Sequence, residues 1–427
     1  MHTTSRVTLS CLVFAVLVAL TGEAFSSTVA VGTCTNLVNF TTIQAAVNAV
    51  PAGSIIKVCP GTYPEQVVIK KKLTLQGIAS ASGDAAVILP PAGGLIQNTV
   101  AVDSSSPIAA QLLVQNTPGP VNISNLTVDG KGNGLTCGPD VQGILYQSAS
   151  GTVNHVAVRN QVPNDIPNGC QVGESFNVQT AAGSSSTVTI ENSSVHNYNK
   201  NGITGNDTGT TLTVTGNYVQ GSGVVPSGGA AQNGIQLGFG AKGKISGNTV
   251  IDNIYGDPTI ADSTDILLYD AAESSSIAVS SNIVGNSQIP IALYTLGDDG
   301  PNLGDGVTVT GNKIFGTSTA DAIDVCTNQN TITSNTIFNS AQSGVHLDAS
   351  CGTFFGGATG NNNNVTSNTM LESACAGILV DPGTTSNNTS TDTYYTVPFP
   401  VASSTALCPF VAGPMRAKAA HKFSPKK

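Results

Sequence analysis

One phrase is written six times along this chain: an aliphatic residue, two small polar residues, an asparagine, a spacer and a second aliphatic residue. The copies are Val214-Thr-Gly-Asn217-Tyr-Val219, Ile245-Ser-Gly-Asn248-Thr-Val250, Val279-Ser-Ser-Asn282-Ile-Val284, Val309-Thr-Gly-Asn312-Lys-Ile314, Ile332-Thr-Ser-Asn335-Thr-Ile337 and Val365-Thr-Ser-Asn368-Thr-Met370. Their asparagines are 31, 34, 30, 23 and 33 residues apart. Weaker copies precede them, with Ser193 at the asparagine position of Ile190 to Val195 and Leu126 at that of Ile123 to Val128. A period of this length marks a repeat architecture, in which each unit buries its apolar face by stacking on its neighbours. The two aliphatic residues of a phrase are five apart, and a straight strand sends such residues to opposite faces. Both reach one core only if the chain bends between them. Asparagine is the non-glycine residue best suited to the left-handed conformation of a bend, so it is expected to supply that conformation here.

A second strand family falls between the phrases: "GILY" at 143, "GIQL" at 234, "DILL" at 265, "AIDV" at 322, "GVHL" at 344 and "GILV" at 377. The first and third aliphatic positions point inward and the residue between them points outward. Loops of varying length, such as 223–232, 256–264, 297–306 and 352–363, are placed on the sides, where a solenoid builds its functional surface. Composition agrees with short strands and tight turns: 47 glycines, no tryptophan and 10% charged residues. The 40% of apolar residues rules out a disordered body. Net charge is −9, and five of the 16 basic residues lie in the last twelve positions. Residues 1–415 therefore carry 11 basic and 25 acidic groups, a balance of −14 that argues against nucleic acid as a partner.

Arg6 followed by the apolar run Val7 to Leu20 and then "TGEAFSS" reads as an export signal over residues 1–26. The run is short for a bilayer span, so no stable membrane span is expected after its removal. Secretion, the periplasm or the cell surface follows as the destination. Of nine cysteines, Cys11 lies in the signal and is not set in a lipidation box. The remaining eight favour disulfides in an exported chain, and no Cys-x-x-Cys pair or His cluster argues for zinc. Pairing in sequence order is expected: Cys34 with Cys59, Cys137 with Cys170, Cys326 with Cys351, and Cys375 with Cys408. Neighbouring coils bring such positions within bridging distance. Residues 41–50, "TTIQAAVNAV", read as a helix with Thr41 and Gln44 as a capping box.

The stretch "TIQAAVNAVPAGSIIKVCPGTYPEQVVIKKKLTLQG" resembles the N-terminal cap and first coils of right-handed parallel β-helix proteins of the pectin-lyase-like superfamily. Its Gly61-Thr-Tyr63-Pro-Glu65 element is similar to the first motif of pectin methylesterases, a motif also widespread in β-helix proteins without that activity. The resemblance implies an all-β, right-handed parallel β-helix with a short N-terminal capping helix, a tight turn at Gly61, and Tyr63 packed under the next coil. Cap and first coils would occupy 27–80, the β-helix 81–397, and a C-terminal wrap with a basic tail 398–427. In such a fold the asparagines would stack about 4.8 Å apart as an amide ladder at one corner. The competing reading, asparagine-rich turns of a β-sandwich, does not require one phrase at a fixed place.

Stacked coil on coil, the outward positions of the second strand family hold Asp324 and Cys326, then His346 and Asp348, then Asp381. Asp321, Tyr269, Asp270 and Tyr294 stand beside them. Asp324, His346, Asp348 and Asp381 are the catalytic candidates, with Tyr269, Asp270, Tyr294 and Asp321 as substrate-binding candidates. Carboxylates on adjacent coils can serve as acid and base on a sugar linkage, although an exposed strand face is polar without any catalysis. "DAIDVC" and "GVHLD" resemble the acidic and histidine-containing signatures of polygalacturonase-type hydrolases, without their Asn-Thr-Asp, Asp-Asp, Gly-His-Gly and Arg-Ile-Lys elements. The remaining pectin methylesterase motifs are absent, and Arg159 is the only arginine between signal and tail to serve as a pectate-lyase base. No cofactor is implied. "GDDGPNLGDG" offers Asp298, Asp299 and Asp305 as oxygen ligands for calcium, without EF-hand spacing. The expected function is binding or processing of a polysaccharide or cell-surface glycan by a secreted monomer through an acidic outward stripe and side loops. A non-catalytic surface or matrix protein, using the rigid rod for adhesion, is the alternative. Enzyme status stays open, with glycoside hydrolase or polysaccharide lyase as the type.

Overall fold

The computed structural model describes residues 26–79, 85–164, 166, 170–225, 229–257, 261–273, 276–295, 304–349 and 360–403. The chain winds as a parallel β-helix, each coil giving one strand to each of three sheets. Among the described residues these sheets hold 13, 12 and 13 strands. The first carries the strands that enter the asparagine phrase, such as Thr210–Thr215 and Lys242–Ser246. The second carries the strands that leave it, such as Tyr218–Val225 and Thr249–Tyr255. The third carries Asp140–Gln147, Asn233–Gly238, Thr264–Tyr269, Ile323–Val325, Ser343–Leu347 and Ala376–Val380, the second strand family of the sequence. Its last strand is Phe399–Ala402, parallel to Ala376–Val380.

The bend between paired aliphatic residues is present at every copy. Val214 and Val219, Ile245 and Val250, Val309 and Ile314, and Ile332 and Ile337 are all buried in one apolar column that runs the length of the rod. The left-handed residue is not the asparagine but the one before it: Gly216 (φ 66°), Gly247 (φ 65°), Ser281 (φ 56°), Gly311 (φ 66°), Ser334 (φ 59°) and Ser367 (φ 60°). A glycine or serine takes the strained turn, which frees the asparagine to turn its amide into the corner.

There the amides stack. Asn217 Nδ2 donates to Asn248 Oδ1 at 3.0 Å, Asn248 to Asn282 at 3.0 Å, and Asn282 to Asn312 at 3.0 Å. Asn312 donates to Asn335, Asn335 to Asn368, and Asn368 to Asp392 Oδ1, each at 2.9 Å. Each Oδ1 also accepts the backbone N–H of the previous asparagine, as in Asn312 N to Asn335 Oδ1 at 2.9 Å. The weak copy ends the ladder, for Ser193 N donates to Asn217 Oδ1 at 2.9 Å. Sequence reading assigned Asn363 to a loop. It instead belongs to a second, shorter ladder, in which Asn330 Nδ2 donates to Asn363 Oδ1 at 2.9 Å and Asn363 N donates to Asn387 Oδ1 at 2.8 Å.

The helix spans Ile43–Ala49 and lays Ile43, Ala46 and Val47 over the first coil. Its N-cap is Thr42, whose hydroxyl accepts Ala45 N at 3.1 Å, so no Thr41–Gln44 box forms. The free N–H groups of Ile43 and Gln44 go to the Glu65 carboxylate at 2.7 and 2.8 Å. Glu65 thus ties the Gly-Thr-Tyr-Pro-Glu element to the cap, where a carboxylate complements the helix N-terminus. Gly61 opens the strand Gly61–Pro64, and the buried Tyr63 hydroxyl donates to Cys59 O at 2.7 Å.

Disulfides join Cys34 to Cys59 and Cys137 to Cys170, each with a Cα separation of 5.6 Å. Cys326 and Cys375 are also disulfide-bonded. Their expected partners, Cys351 and Cys408, lie outside the described residues, as do the expected export signal, Asp298, Asp299 and the basic tail. Peptide mapping of the unreduced protein is expected to recover Cys326–Cys351 and Cys375–Cys408, whereas a Cys351–Cys375 peptide would refute sequence-order pairing. No helix among the described residues is long and apolar enough to cross a membrane.

Candidate functional site

Three files of side chains run along the third sheet. Register sets Glu174, Asn201, Asn233 and Thr264 side by side in one file. A second runs Asn177, Thr204, Gln236, Leu267, Ala292, Asp324, His346 and Leu379. The third runs Gln179, Asn206, Gly238, Tyr269 and Tyr294. Over these files lies a cleft of about 380 Å³.

One end of the cleft holds two carboxylates and an amine: Asp140, Glu174 and Lys200. Gln142 Nε2 donates to Asp140 Oδ2 at 2.7 Å and to Glu174 Oε2 at 3.3 Å, so the two carboxylates share one nitrogen. Asn177 Nδ2 donates to Glu174 Oε2 at 2.5 Å and Asn201 Nδ2 to Glu174 Oε1 at 3.3 Å. Gly173 N holds Asp140 Oδ1 at 2.8 Å, and Lys200 Nζ donates to Ala231 O at 3.1 Å. Shielding from water raises Asp140 to about 6. Burial, reinforced by the charge of Asp140, pushes Glu174 well above the carboxylate range, and burial pulls Lys200 down to about 7. Burial thus raises both members of the pair, Glu174 more than Asp140, an asymmetry of the kind found where one carboxyl serves as acid and the other as base. The other end of the cleft is aromatic. Phe239 meets Tyr269 edge to face with ring centroids 5.6 Å apart, and Tyr294 lines the wall beside them.

Tyr294 leads from the cleft to the acidic residues singled out in the sequence, its hydroxyl donating to Asp324 Oδ2 at 2.8 Å. These residues do come together, but not as an open stripe. Asp321, Asp324, His346, Asp348 and Asp381 are all buried. His346 Nδ1 lies 3.1 Å from Asp321 Oδ2 and 3.7 Å from Asp324 Oδ1, and its Nε2 lies 3.0 Å from Asp381 Oδ1. Asp321 Oδ1 also accepts Ser343 N at 2.9 Å, and Asp381 Oδ2 accepts Ala349 N at 3.2 Å. Burial works against a charged imidazole, but the Asp321 and Asp348 charges and the bonds to Asp321 and Asp381 overcome it and hold His346 well above its usual value. His346 thus links carboxylates of the preceding and following coils.

Ligand atoms of Asp321, Asp324 and His346, and of His346, Asp348 and Asp381, lie within 4.8 Å of one another, the spacing a metal ion would need. Cys326 is disulfide-bonded, so it offers no thiolate beside Asp324 and Asp348. Asp305, expected near a calcium ion, has its carboxylate bonded to Asn328 N at 2.7 Å. It serves as a coil-to-coil tie.

The sign of the His346 effect on stability follows from its raised value. The contribution is complete below the unfolded value of about 6.5 and disappears as pH rises through the folded value. His346→Gln is expected to lower the thermal midpoint most at pH 6 and least at high pH. A destabilisation that stays constant across a pH series of melts would contradict a charged His346.

Comparison with known proteins bears on the fold. No protein-family model matches the chain, and no curated protein matches it by sequence. Among solved structures, the A-module of the mannuronan C-5 epimerase AlgE4 of Azotobacter vinelandii superposes with a TM-score of 0.51 at 16% identity. The match covers 85% of this chain and 94% of that one. The family 28 exopolygalacturonase of Yersinia enterocolitica superposes with a TM-score of 0.50 at 11% identity, over 89% of this chain and 78% of the other. The chain is a right-handed parallel β-helix.

On this β-helix the sequence-derived candidates divide. Tyr269 and Tyr294 line the cleft. Asp324, His346, Asp348, Asp381 and Asp321 form the buried lock. Asp270 closes the strand Thr264–Tyr269 with φ 48° and is not part of the cleft wall. Sequence reading missed Asp140, Glu174 and Lys200. Glu174 begins the strand Glu174–Gln179, "ESFNVQ", in which Phe176 stands where the rest of its family has isoleucine or valine.

Proposed function

We propose that the protein is exported, binds a polysaccharide in the cleft of the third sheet, and hydrolyses a glycosidic bond there. The observation that carries this reading is the Asp140–Glu174 pair, two carboxylates of one cleft bonded to the same Gln142 nitrogen, both raised by burial and Glu174 the more. Glu174 is assigned as the general acid that protonates the leaving oxygen, and Asp140 as the carboxylate that attacks or stabilises the sugar. Their bonds of 2.7 and 3.3 Å to the same Gln142 nitrogen place these oxygens closer than the roughly 6.5–9.5 Å that inverting enzymes leave for a water. Retention of anomeric configuration is the expected outcome. Phe239, Tyr269 and Tyr294 supply apolar faces for sugar rings, and the amide files supply hydrogen bonds to hydroxyls. The two structural neighbours above, an epimerase and an exopolygalacturonase, are named for polysaccharides, which supports a polysaccharide ligand. Two disulfides fit an oxidising compartment.

The test is a screen of the purified protein on soluble polysaccharides, following reducing-end release together with gel retardation. Release of reducing ends supports hydrolysis. Retardation without release across the panel would overturn it and leave the adhesive reading. Neither signal on any glycan would remove both.

A further inference from the structure

The charge of the cleft restricts what sugar it takes. Asp103, Asp140, Glu174 and Asp262 line it, and Lys200 is the only basic residue among the described lining residues. That lysine is buried, its Nζ is bonded to Ala231 O, and its charge is weakened by burial. Arg159, the only arginine between signal and tail, is held on the second sheet by Asp129, Nε to Oδ2 at 2.7 Å. A fixed anion in the cleft would thus meet several carboxylates and no exposed cation, which opposes binding.

Hydrogen bonding gives a second, independent indication. Asn177 Oδ1 and Gln179 Oε1 are buried acceptors of cleft-lining residues with no partner among the described residues. The Asn177 amide is oriented by its donation to Glu174, so its oxygen is the free end. Such acceptors need donors. A sugar hydroxyl donates, whereas a carboxylate or sulfate only accepts.

Resting on the hydrolase reading above, we infer that the substrate is a neutral, hydroxyl-rich polysaccharide rather than a uronan or a sulfated glycan. In this respect the cleft departs from what the names of its structural neighbours would suggest. The selectivity resides in Asp103, Asp140 and Asp262, which repel anions, and in Asn177 and Gln179, which accept from hydroxyls.

Affinity gel electrophoresis of the intact protein tests this, with hydroxyethyl cellulose, xylan and galactomannan in one set of gels. Polygalacturonate and alginate, each with and without calcium chloride, form the other set. At least one neutral glycan is expected to retard the protein ten-fold or more strongly than either uronan. Asp103→Lys, at the exposed rim and outside the acid–base pair, is expected to gain retardation on polygalacturonate. Uronan retardation of the native protein equal to or above that of every neutral glycan would overturn the inference while leaving polysaccharide binding intact. Failure of Asp103→Lys to gain uronan binding would count against exclusion by charge. No retardation on any gel would overturn this inference and the proposed function together.

Discussion

Glu174→Gln is expected to reduce glycan cleavage by about 10²–10⁴-fold while affinity for the same glycan stays within a few-fold. The substitution is isosteric and keeps one oxygen to accept from Gln142 and Asn177, its NH2 facing Asn201, while the transferable proton is lost. Asp140→Asn is expected to act on the same scale. The pH profile carries the assignment further. Activity requires Asp140 ionised and Glu174 protonated, so it should rise as pH passes about 6, where Asp140 titrates. It should fall at the higher pH where Glu174 loses its proton. Asp140→Asn should remove the acidic limb. His346→Gln, in the buried lock, should lower the melting point without moving either limb. Steady-state rates across a pH series separate these cases, and a Glu174→Gln variant with undiminished turnover would remove Glu174 from the chemistry.

Asn312→Ala is expected to destabilise the rod by about 1–3 kcal/mol or more, because it strands partners on both neighbouring coils. Asn312 Oδ1 accepts Asn282 N and Nδ2, both at 3.0 Å, and its Nδ2 donates to Val279 O at 3.0 Å and Asn335 Oδ1 at 2.9 Å. All of these groups are buried, so water does not replace the lost bonds. Asn363→Ala should cost a comparable amount, since Asn363 stands in the second ladder. Asn48→Ala, on the exposed side of the capping helix, should change stability by no more than about 0.5 kcal/mol. Urea midpoints measure the difference, and equal midpoints for Asn312→Ala and Asn48→Ala would refute the ladder as a stabilising element.

The fold was legible because its determinants are periodic. Val214 and Val219 demand a bend, and six copies of that demand at near-constant spacing leave few architectures. Handedness came from the resemblance of residues 42 to 77 and the capping helix from the pattern of residues 41–50, while the conformation of the corner differs from the sequence expectation. A bend needs one left-handed residue, and the sequence offered two neighbours for the role, such as Gly311 and Asn312. Only the stacking of amides on adjacent coils decides between them. The same limit explains Asn363, whose partners Asn330 and Asn387 are 33 and 24 residues away and belong to no obvious phrase.

The site was legible only in part, for a related reason. Strand alternation correctly put Asp324 and His346 on the outward side, but outward from the core does not mean open to water. A histidine flanked by carboxylates on neighbouring coils closes into its own ion-paired cluster, and neither Asp321 nor Asp381 is adjacent to it in sequence. Conversely, Glu174 lies in a strand without the family phrase, and Asp140 and Lys200 reach it from preceding and following coils. Alternation assigns a face to each residue. It does not say which coils leave room for a ligand.

The central claim is that the ligand lies over Glu174, Asn201, Asn233 and Tyr269, not over the Asp324–His346 cluster. A crystal structure of Glu174→Gln soaked with an oligosaccharide of the best-bound glycan tests it most directly. Sugar rings are expected along the third sheet, with a glycosidic oxygen within hydrogen-bond distance of residue 174 and a ring face against Tyr269 or Phe239. An oligosaccharide seated over His346 and Asp348, or on another sheet, would contradict the account.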